Sequence, residues 1–364
     1  MPPNSNTLAY VQRHLEAALV EALADTPVIC ILGPRQCGKS TLARHVAPDR
    51  AYVSLDDRTS YELARLDPKG FIGELPEYVT IDEVQRVPEL TMAIKQSVDT
   101  NRKPGRFLLT GSANLLQLPR LSDSLAGRME WLELQPFSEA EKEGSSGRFL
   151  HQWLGGDLKT GITESTPPQA SALPRRVIAG GYPEAVCRSP ARARQWQEQY
   201  IQSIIERDIQ DISQIRDSEA TAQLLEYLSH QTAQLLNITE TAKTLGHTRA
   251  TVEKYLSILE KLYLLRRLPA WHRNVRKRLI KSPKIHLRDS GLAAALSGIT
   301  EDSWKTDRAV FGHLLESFVL QQLQIQAAQL PNKTRLWHYR DKDKVEVDCV
   351  LTQGRRTWGV QIKA

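Results

Sequence analysis

Gly33-Pro34-Arg35-Gln36-Cys37-Gly38-Lys39-Ser40, followed by Thr41, satisfies the pattern GxxxxGK[ST] at every defined position. The physics of such a loop is specific. Its glycines let backbone N–H groups turn inward around phosphate oxygens, and the N-terminus of the helix behind it adds positive potential. Lys39 supplies a point charge to the β- and γ-phosphate oxygens, and the Ser40 hydroxyl is placed to ligate Mg²⁺. The surroundings agree. Val28–Leu32 is a short apolar run of the sort found in buried parallel strands, and Thr41–His45 is compatible with a helix. Residues Gly33 to Thr41 are therefore the candidate site for ATP with Mg²⁺.

Four more strand-like segments follow, Ala51–Leu55, Tyr78–Ile81, Arg106–Leu109 and Met129–Leu134, with helical stretches between them. That alternation predicts an α/β domain with helices on both faces of its sheet. Ahead of it Leu8, Val11, Leu15, Leu19 and Leu23 recur at helical spacing and predict an opening amphipathic helix. The segment at Tyr78 runs into Asp82-Glu83. Asp82 at the strand tip can hold the metal, usually through water, and Glu83 can polarise an attacking water as general base. The next strand leads to Thr110-Gly111-Ser112, whose hydroxyls can sense a γ-phosphate or position water; a plain Thr-Gly turn explains them as well. Arg128 precedes the fifth strand. It can reach the γ-phosphate of a neighbouring subunit in a homo-oligomer, or sit in an ordinary surface salt bridge.

The 364 residues are 41% hydrophobic and 25% charged, which excludes wholesale disorder. Cys30, Cys37, Cys187 and Cys349 lie far apart with no CxxC pair. Neither a disulfide framework nor a zinc ribbon is indicated, and a reduced, cytoplasmic setting is expected. The opening MPPNSNT has no basic stretch leading into an apolar one, so a signal peptide is not expected; no apolar run approaches the ~18 residues of a membrane span. Gly, Ser, Thr and Pro accumulate at Glu143–Gly147 and Gly155–Ala170, which predicts a loop or linker, and Arg192–His230 reads as helical.

Charge is unevenly distributed. The chain carries a net +6, but Gln231–Thr300 alone has 13 Lys+Arg against 4 Asp+Glu, so the remainder is slightly acidic. A basic module on an acidic body suggests one part that meets a polyanion. Within it, Asn237-Ile238-Thr239-Glu240 reads as a capping box, Gly246 as a turn, and Val252, Leu256 and Leu259 as the buried stripe of a second helix. This helix-turn-helix pattern turns Arg249, Thr251 and Lys254 outward. Arg273, Arg276, Lys277, Arg278, Lys281 and Lys284 then crowd the place of a wing hairpin. Contacts from these residues to phosphates of double-stranded DNA would be salt-dependent and largely sequence-independent; a solvated face or a protein-interaction role fits the same residues.

Several of these segments together resemble the AAA+ superfamily, and more narrowly the prokaryotic ATPases whose C-terminal half is domain of unknown function 4143. The residues that carry the resemblance are GPRQCGKST, YVTIDEVQRVPEL, LLTGSANLL, SLAGR followed by LQPFS, Gly180-Gly181-Tyr182-Pro183-Glu184, Ile205-Glu206-Arg207-Asp208-Ile209 and His286-Leu287-Arg288-Asp289-Ser290-Gly291-Leu292. The resemblance implies an α/β fold: a three-layer P-loop NTPase core, AAA+-like, over residues 1–140; a linker and helical lid over 141–230; and a winged-helix domain over 231–300. It also implies that Gly181 and Pro183 pack near the nucleotide and that Arg128 falls at the arginine-finger position.

The last segment, 301–364, is expected to start as a helix and end in strands Val345–Leu351 and Thr357–Lys363. Glu316, Asp348 and Gln361-Ile362-Lys363 resemble the PD-(D/E)xK nuclease pattern, in which acidic residues hold Mg²⁺ and the lysine steadies developing charge. Relatives usually carry Glu at the place of Gln361, and the sequence stops one residue after Lys363, so an incomplete, degenerate segment is expected. Three functions follow as expectations: an ATPase that drives this C-terminal module on DNA, a signalling-type nucleotide switch assembling with a protein partner, and a metal-dependent nuclease.

Overall fold

A computed structural model describes residues 10–111, 125–158, 172–209, 218–274, 276, 278 and 281–364. It divides into two compact units, one essentially Gln12–Pro136 and the other Phe137–Glu260 with Leu264–Ala364.

The first unit contains α1 (Glu16–Asp25), β1 (Val28–Leu32), α2 (Lys39–Val46), β2 (Ala51–Ser54), α3 (Arg58–Leu66), α4 (Pro68–Glu74), β3 (Val79–Asp82), α5 (Leu90–Thr100), β4 (Phe107–Gly111) and β5 (Met129–Glu133). The strands pair in the order β2-β3-β4-β1-β5, and every pair is parallel. Alternation along β1 explains the layers. Val28, Cys30 and Leu32 join one apolar cluster, with Ala64, Ile72 and Ile94 from α3, α4 and α5. Ile29 and Ile31 join another, with Leu19 and Ala22 of α1 and Leu42 and Ala43 of α2. A strand buried on both faces needs this continuous apolar run, and each such Ile contributes roughly 2–3 kcal/mol by leaving water.

Each of the five expected strands is present within a residue or two. The opening helix is shorter than its apolar spacing predicts. It begins at Glu16 after a turn at Arg13–Glu16, Val11 precedes it, and Leu8 lies outside the described residues. Arg13 precedes the helix, and its guanidinium is anchored elsewhere in the unit.

The second unit is mostly helical in its first half: α6 (Glu139–Lys142), α7 (Phe149–Gly155), α8 (Leu173–Ala179), α9 (Pro183–Val186), α10 (Pro190–Ser203) and α11 (Ser218–His230). The helix expected across 192–230 gives way to a π-helical turn at Ile204–Asp208. Next come β6 (Gln234–Leu235), α12 (Ile238–Thr244), α13 (Arg249–Lys261), β7 (Leu265–Leu268) and β8 (Lys284–Leu287), with strands in the antiparallel order β6-β8-β7. Asn237 caps α12 through Glu240 N–H, and Thr248 caps α13 through Thr251 N–H. Then follow α14 (Ser290–Ser297), α15 (Ser303–Thr306), α16 (Arg308–Ala328), β9 (Arg335–Arg340), β10 (Glu346–Gln353) and β11 (Arg356–Val360), an antiparallel β11-β10-β9 sheet.

Two features of the last sheet differ from expectation. β9 is a third strand, where only two are expected. The final strand stops at Val360, opposite Cys349, rather than running to Lys363. At the neighbouring position of β10, the Asp348 carboxylate accepts the Ile362 N–H at 2.7 Å and takes the place of the next ladder bond.

Candidate functional site

The carboxyl ends of β1, β3 and β4 lie side by side, where an open parallel sheet presents its ligand site. The loop after β1 is built around two glycines. A Cβ on Gly33 would stand 2.1 Å from the Leu134 carbonyl oxygen, and Gly38 holds φ 101° as it enters α2. The Cys37 side chain points into the core and its thiol is pushed up by burial, so this residue offers a ligand its backbone only. Arg13, 5% exposed, donates to the Cys37 carbonyl at 2.9 Å and to the Gln135 carbonyl at 2.6 Å, which clamps the loop to the end of the sheet. Nothing in the sequence singles Arg13 out. Lys39 is also buried, and its ammonium donates to the carbonyls of Gly33 (3.1 Å) and Pro34 (2.8 Å).

Asp82, at the tip of β3, collects three hydroxyls from three elements. Ser40 Oγ of α2 lies 2.9 Å from Oδ1, Tyr52 OH of β2 donates to Oδ2 at 2.6 Å, and Thr110 Oγ1 of β4 donates to Oδ1. Burial and the bond to Asp82 push the Tyr52 phenol up to about 12, so it stays a donor. A tyrosine on a strand is ordinarily core, so nothing in the sequence marks Tyr52 as a partner of Asp82. Glu83 follows in the left-handed region (φ 58°), its N–H donating to Thr110 Oγ1 at 3.1 Å and its carboxylate accepting from Gln85 Nε2. A non-glycine residue at positive φ is uncommon and marks a position held by its surroundings.

Thr110 is fully buried, and its hydroxyl bonds Asp82 and Glu83, so it holds these two residues rather than reaching outward. Ser112 lies outside the described residues. Arg128 has its Nε on Asp99 and Nη1 on the Ala126 carbonyl, and the bond from Arg128 keeps the Asp99 carboxyl below its usual range. Within the chain Arg128 thus forms an ion pair with Asp99. The hard oxygens of Ser40 and Asp82, beside a buried lysine, fit a magnesium-bound triphosphate.

In the second unit, Gly181 N–H donates to Asp289 at 2.8 Å and its carbonyl accepts from Phe137 N–H at 2.7 Å. Both backbone groups are thereby engaged within the unit, and Pro183 opens α9. Of the residues expected to meet DNA, Arg249, Lys254, Arg273 and Arg276 are exposed, Thr251 is half-buried beside Thr248, and Lys277 lies outside the described residues. Farther along the stretch expected to form a DNA-contacting wing, the basic side chains make contacts within the unit. Arg278 stacks over Trp337 at 4.8 Å, Lys281 donates to the Arg340 carbonyl at 2.7 Å, and Lys284 is buried.

Glu316 and Asp348 do come together, in a cleft of about 880 Å³. Between them sits Lys284, 2.7 Å from Glu316 and 3.7 Å from Asp348, with Glu346 at 2.6 Å. Burial pushes the Glu316 carboxyl up to about 7 although Lys284 opposes the shift. Gln361 is exposed beyond the end of β11 and brings no charge to the cluster. Among the described residues no group of three or more His, Cys, Asp or Glu is arranged to hold a metal. Glu346 was readable in advance, since it precedes Asp348 by two positions on one strand and faces the same side.

No helix among the described residues is long and apolar enough to cross a membrane. Residues 25–142 match the AAA domain family model, 170–303 the domain of unknown function DUF8612, and 311–364 the domain of unknown function DUF4143. The uncharacterized proteins Rv2008c of Mycobacterium tuberculosis and Mb2031c of Mycobacterium bovis are each 31% identical over 353 residues, 97% of this chain and 74% of theirs. Among solved structures, the Walker-type ATPase PABY2304 of Pyrococcus abyssi aligns over 81% of this chain and 98% of its own, with 16% identity and a TM-score of 0.45. A single-substitution variant of RuvB of Thermotoga maritima aligns over 71% of this chain and 90% of its own, with 19% identity and a TM-score of 0.35. Sequence likeness along nearly the whole length, with a phosphate-loop core at one end and DUF4143 at the other, makes this chain a member of the family of AAA-domain proteins that carry DUF4143.

Proposed function

We propose that the protein hydrolyses ATP. The loop Gly33–Thr41 and Lys39 bind the phosphates, Ser40 and Asp82 hold Mg²⁺, and Glu83 is the general base. One observation carries the reading: the Ser40 hydroxyl meets the Asp82 carboxylate at 2.9 Å, and the next residue is a carboxylate held at positive φ. Bound Mg²⁺ supplies positive charge to the phosphate oxygens. Lys39 exchanges its two loop carbonyls for phosphate oxygens, which keeps a buried ammonium satisfied throughout. Asp82, steadied by Tyr52 and Thr110, cannot swing away, and Glu83 takes a proton from water. Lys39→Ala should abolish ATP binding, whereas Glu83→Gln should bind ATP and lose roughly 10²–10⁴-fold in turnover. Normal turnover in Glu83→Gln removes Glu83 as the base.

The same proposal reads residues 231–300 as a winged helix that contacts duplex DNA through Arg249, Lys254, Arg273 and Arg276, four of the basic residues left exposed. ATPase rates measured with and without duplex DNA across a salt series test it. Four phosphate contacts give a slope of roughly −3 to −4 in log affinity against log salt. DNA affinity that ignores salt, or none, leaves the module a protein-docking one.

A further inference from the structure

The family pattern at the C-terminus leads one to expect a divalent metal on Glu316 and Asp348, and the residues present do not fit one. We propose that Lys284 is the resident cation of this cluster, so that the C-terminal cleft takes no divalent metal and its carboxylates serve to seat a lysine from β8.

Lys284 lies on the central strand of the β6-β8-β7 sheet, paired with Leu235 on one side and Leu268 on the other, and is 2% exposed. A lysine there is buried by its strand position and needs anions to be charged. Two elements outside that sheet deliver them: α16 brings Glu316, and β10 brings Glu346 and Asp348. Glu316 Oε1 and Glu346 Oε1 both point at the one ammonium, at 2.7 and 2.6 Å, with Asp348 Oδ1 at 3.7 Å. The second Asp348 oxygen is committed to the Ile362 N–H. A magnesium ion demands close, near-octahedral oxygen ligands at the point these carboxylates share. The ammonium already occupies that point, and a second cation beside it is repelled.

The neighbouring contacts explain why a lysine belongs there. Several of the described residues between β7 and β8 are stitched to β9. Trp271 N–H donates to the His338 carbonyl at 2.6 Å, His338 N–H to the Pro269 carbonyl at 3.0 Å, and the His338 ring bonds the Ser282 carbonyl at 3.0 Å. Lys281 caps the Arg340 carbonyl, and Arg278 lies on Trp337. Lys284, the first residue of β8, follows this segment and reaches α16 and β10 instead. The acidic cluster of the nuclease-like segment thus acts as the socket for a lysine of the preceding module.

The test is Mn²⁺ binding to the full chain without nucleotide, followed by electron paramagnetic resonance and by thermal melting. The wild-type chain and Asp348→Asn should bind Mn²⁺ alike, with no equivalent that depends on Asp348. Lys284→Met should gain one Mn²⁺ per chain, melt lower than wild type, recover on adding Mn²⁺, and lose both the ion and the recovery when combined with Asp348→Asn. A wild-type equivalent of Mn²⁺ that disappears in Asp348→Asn overturns the proposal, and that comparison stands even if Lys284→Met fails to fold. A folded Lys284→Met chain that takes up no Mn²⁺ overturns it too.

Discussion

The Tyr52 hydroxyl lies 2.6 Å from Asp82 Oδ2 and donates to it from β2, the edge strand beside β3. With Ser40 and Thr110 it leaves the carboxylate three hydroxyl donors and a fixed orientation. Tyr52→Phe removes one of them without changing the volume of the side chain appreciably. A hydrogen bond to a charged group contributes about 1.5–3 kcal/mol. The variant should fold, bind ATP, and need several-fold more Mg²⁺ for half-maximal turnover. An unchanged Mg²⁺ requirement would mean that Asp82 is oriented without Tyr52.

Arg128 is bound to Asp99 on its own chain. In a partly exposed pair the guanidinium is screened, and its loss costs little. Arg128→Ala should therefore retain ATPase activity within about two- to threefold, measured at protein concentrations spanning any self-association. A drop of roughly a thousandfold, confined to the associated form, would restore Arg128 as a finger acting across subunits.

Burial drives the His338 imidazole down to about 4 and the His286 imidazole well below its ordinary value. Both are bases that fold neutral. As pH falls from about 6.5 towards 4 the unfolded chain takes up protons that the folded chain refuses, so stability falls with pH across that window and is fully present above it. For His338 the shift corresponds to about 3 kcal/mol. Urea midpoints measured from pH 7 to pH 4 should drop less steeply in His338→Gln than in the wild type. Parallel slopes would show that His338 protonates without cost in the fold.

Of the four cysteines, Cys30, Cys37 and Cys349 are buried and Cys187 is exposed. Burial also raises the thiols of Cys30 and Cys349 to about 12, which removes their reactive thiolate at ordinary pH. Ellman's reagent should therefore titrate one thiol per folded chain and four in denaturant. Fast labelling of Cys37 would reveal that the phosphate loop opens.

Local chemistry explains how much could be read without coordinates. A two-sided strand must be apolar throughout, a phosphate loop must be glycine-rich, and a helix must be capped, so Val28–Leu32, Gly33–Ser40, Asn237 and Thr248 announce themselves within a few residues. The Asp82-Glu83 pair is legible for the same reason, as two charges at the tip of an apolar run. Thr110 was legible as a strand-end hydroxyl, but its partners were not.

What the amino-acid order by itself determined is the strands of the first unit, the nucleotide loop and the capped helices, because their signals lie in near neighbours along the chain. The tertiary structure alone decided which distant groups meet: Arg13 on the Cys37 carbonyl, Tyr52 on Asp82, and Lys284 among Glu316, Glu346 and Asp348. A lysine in a basic stretch looks the same whether water or three carboxylates surround it. Burial is what distinguishes the two, and burial is set by how sheets and helices far apart in sequence pack together.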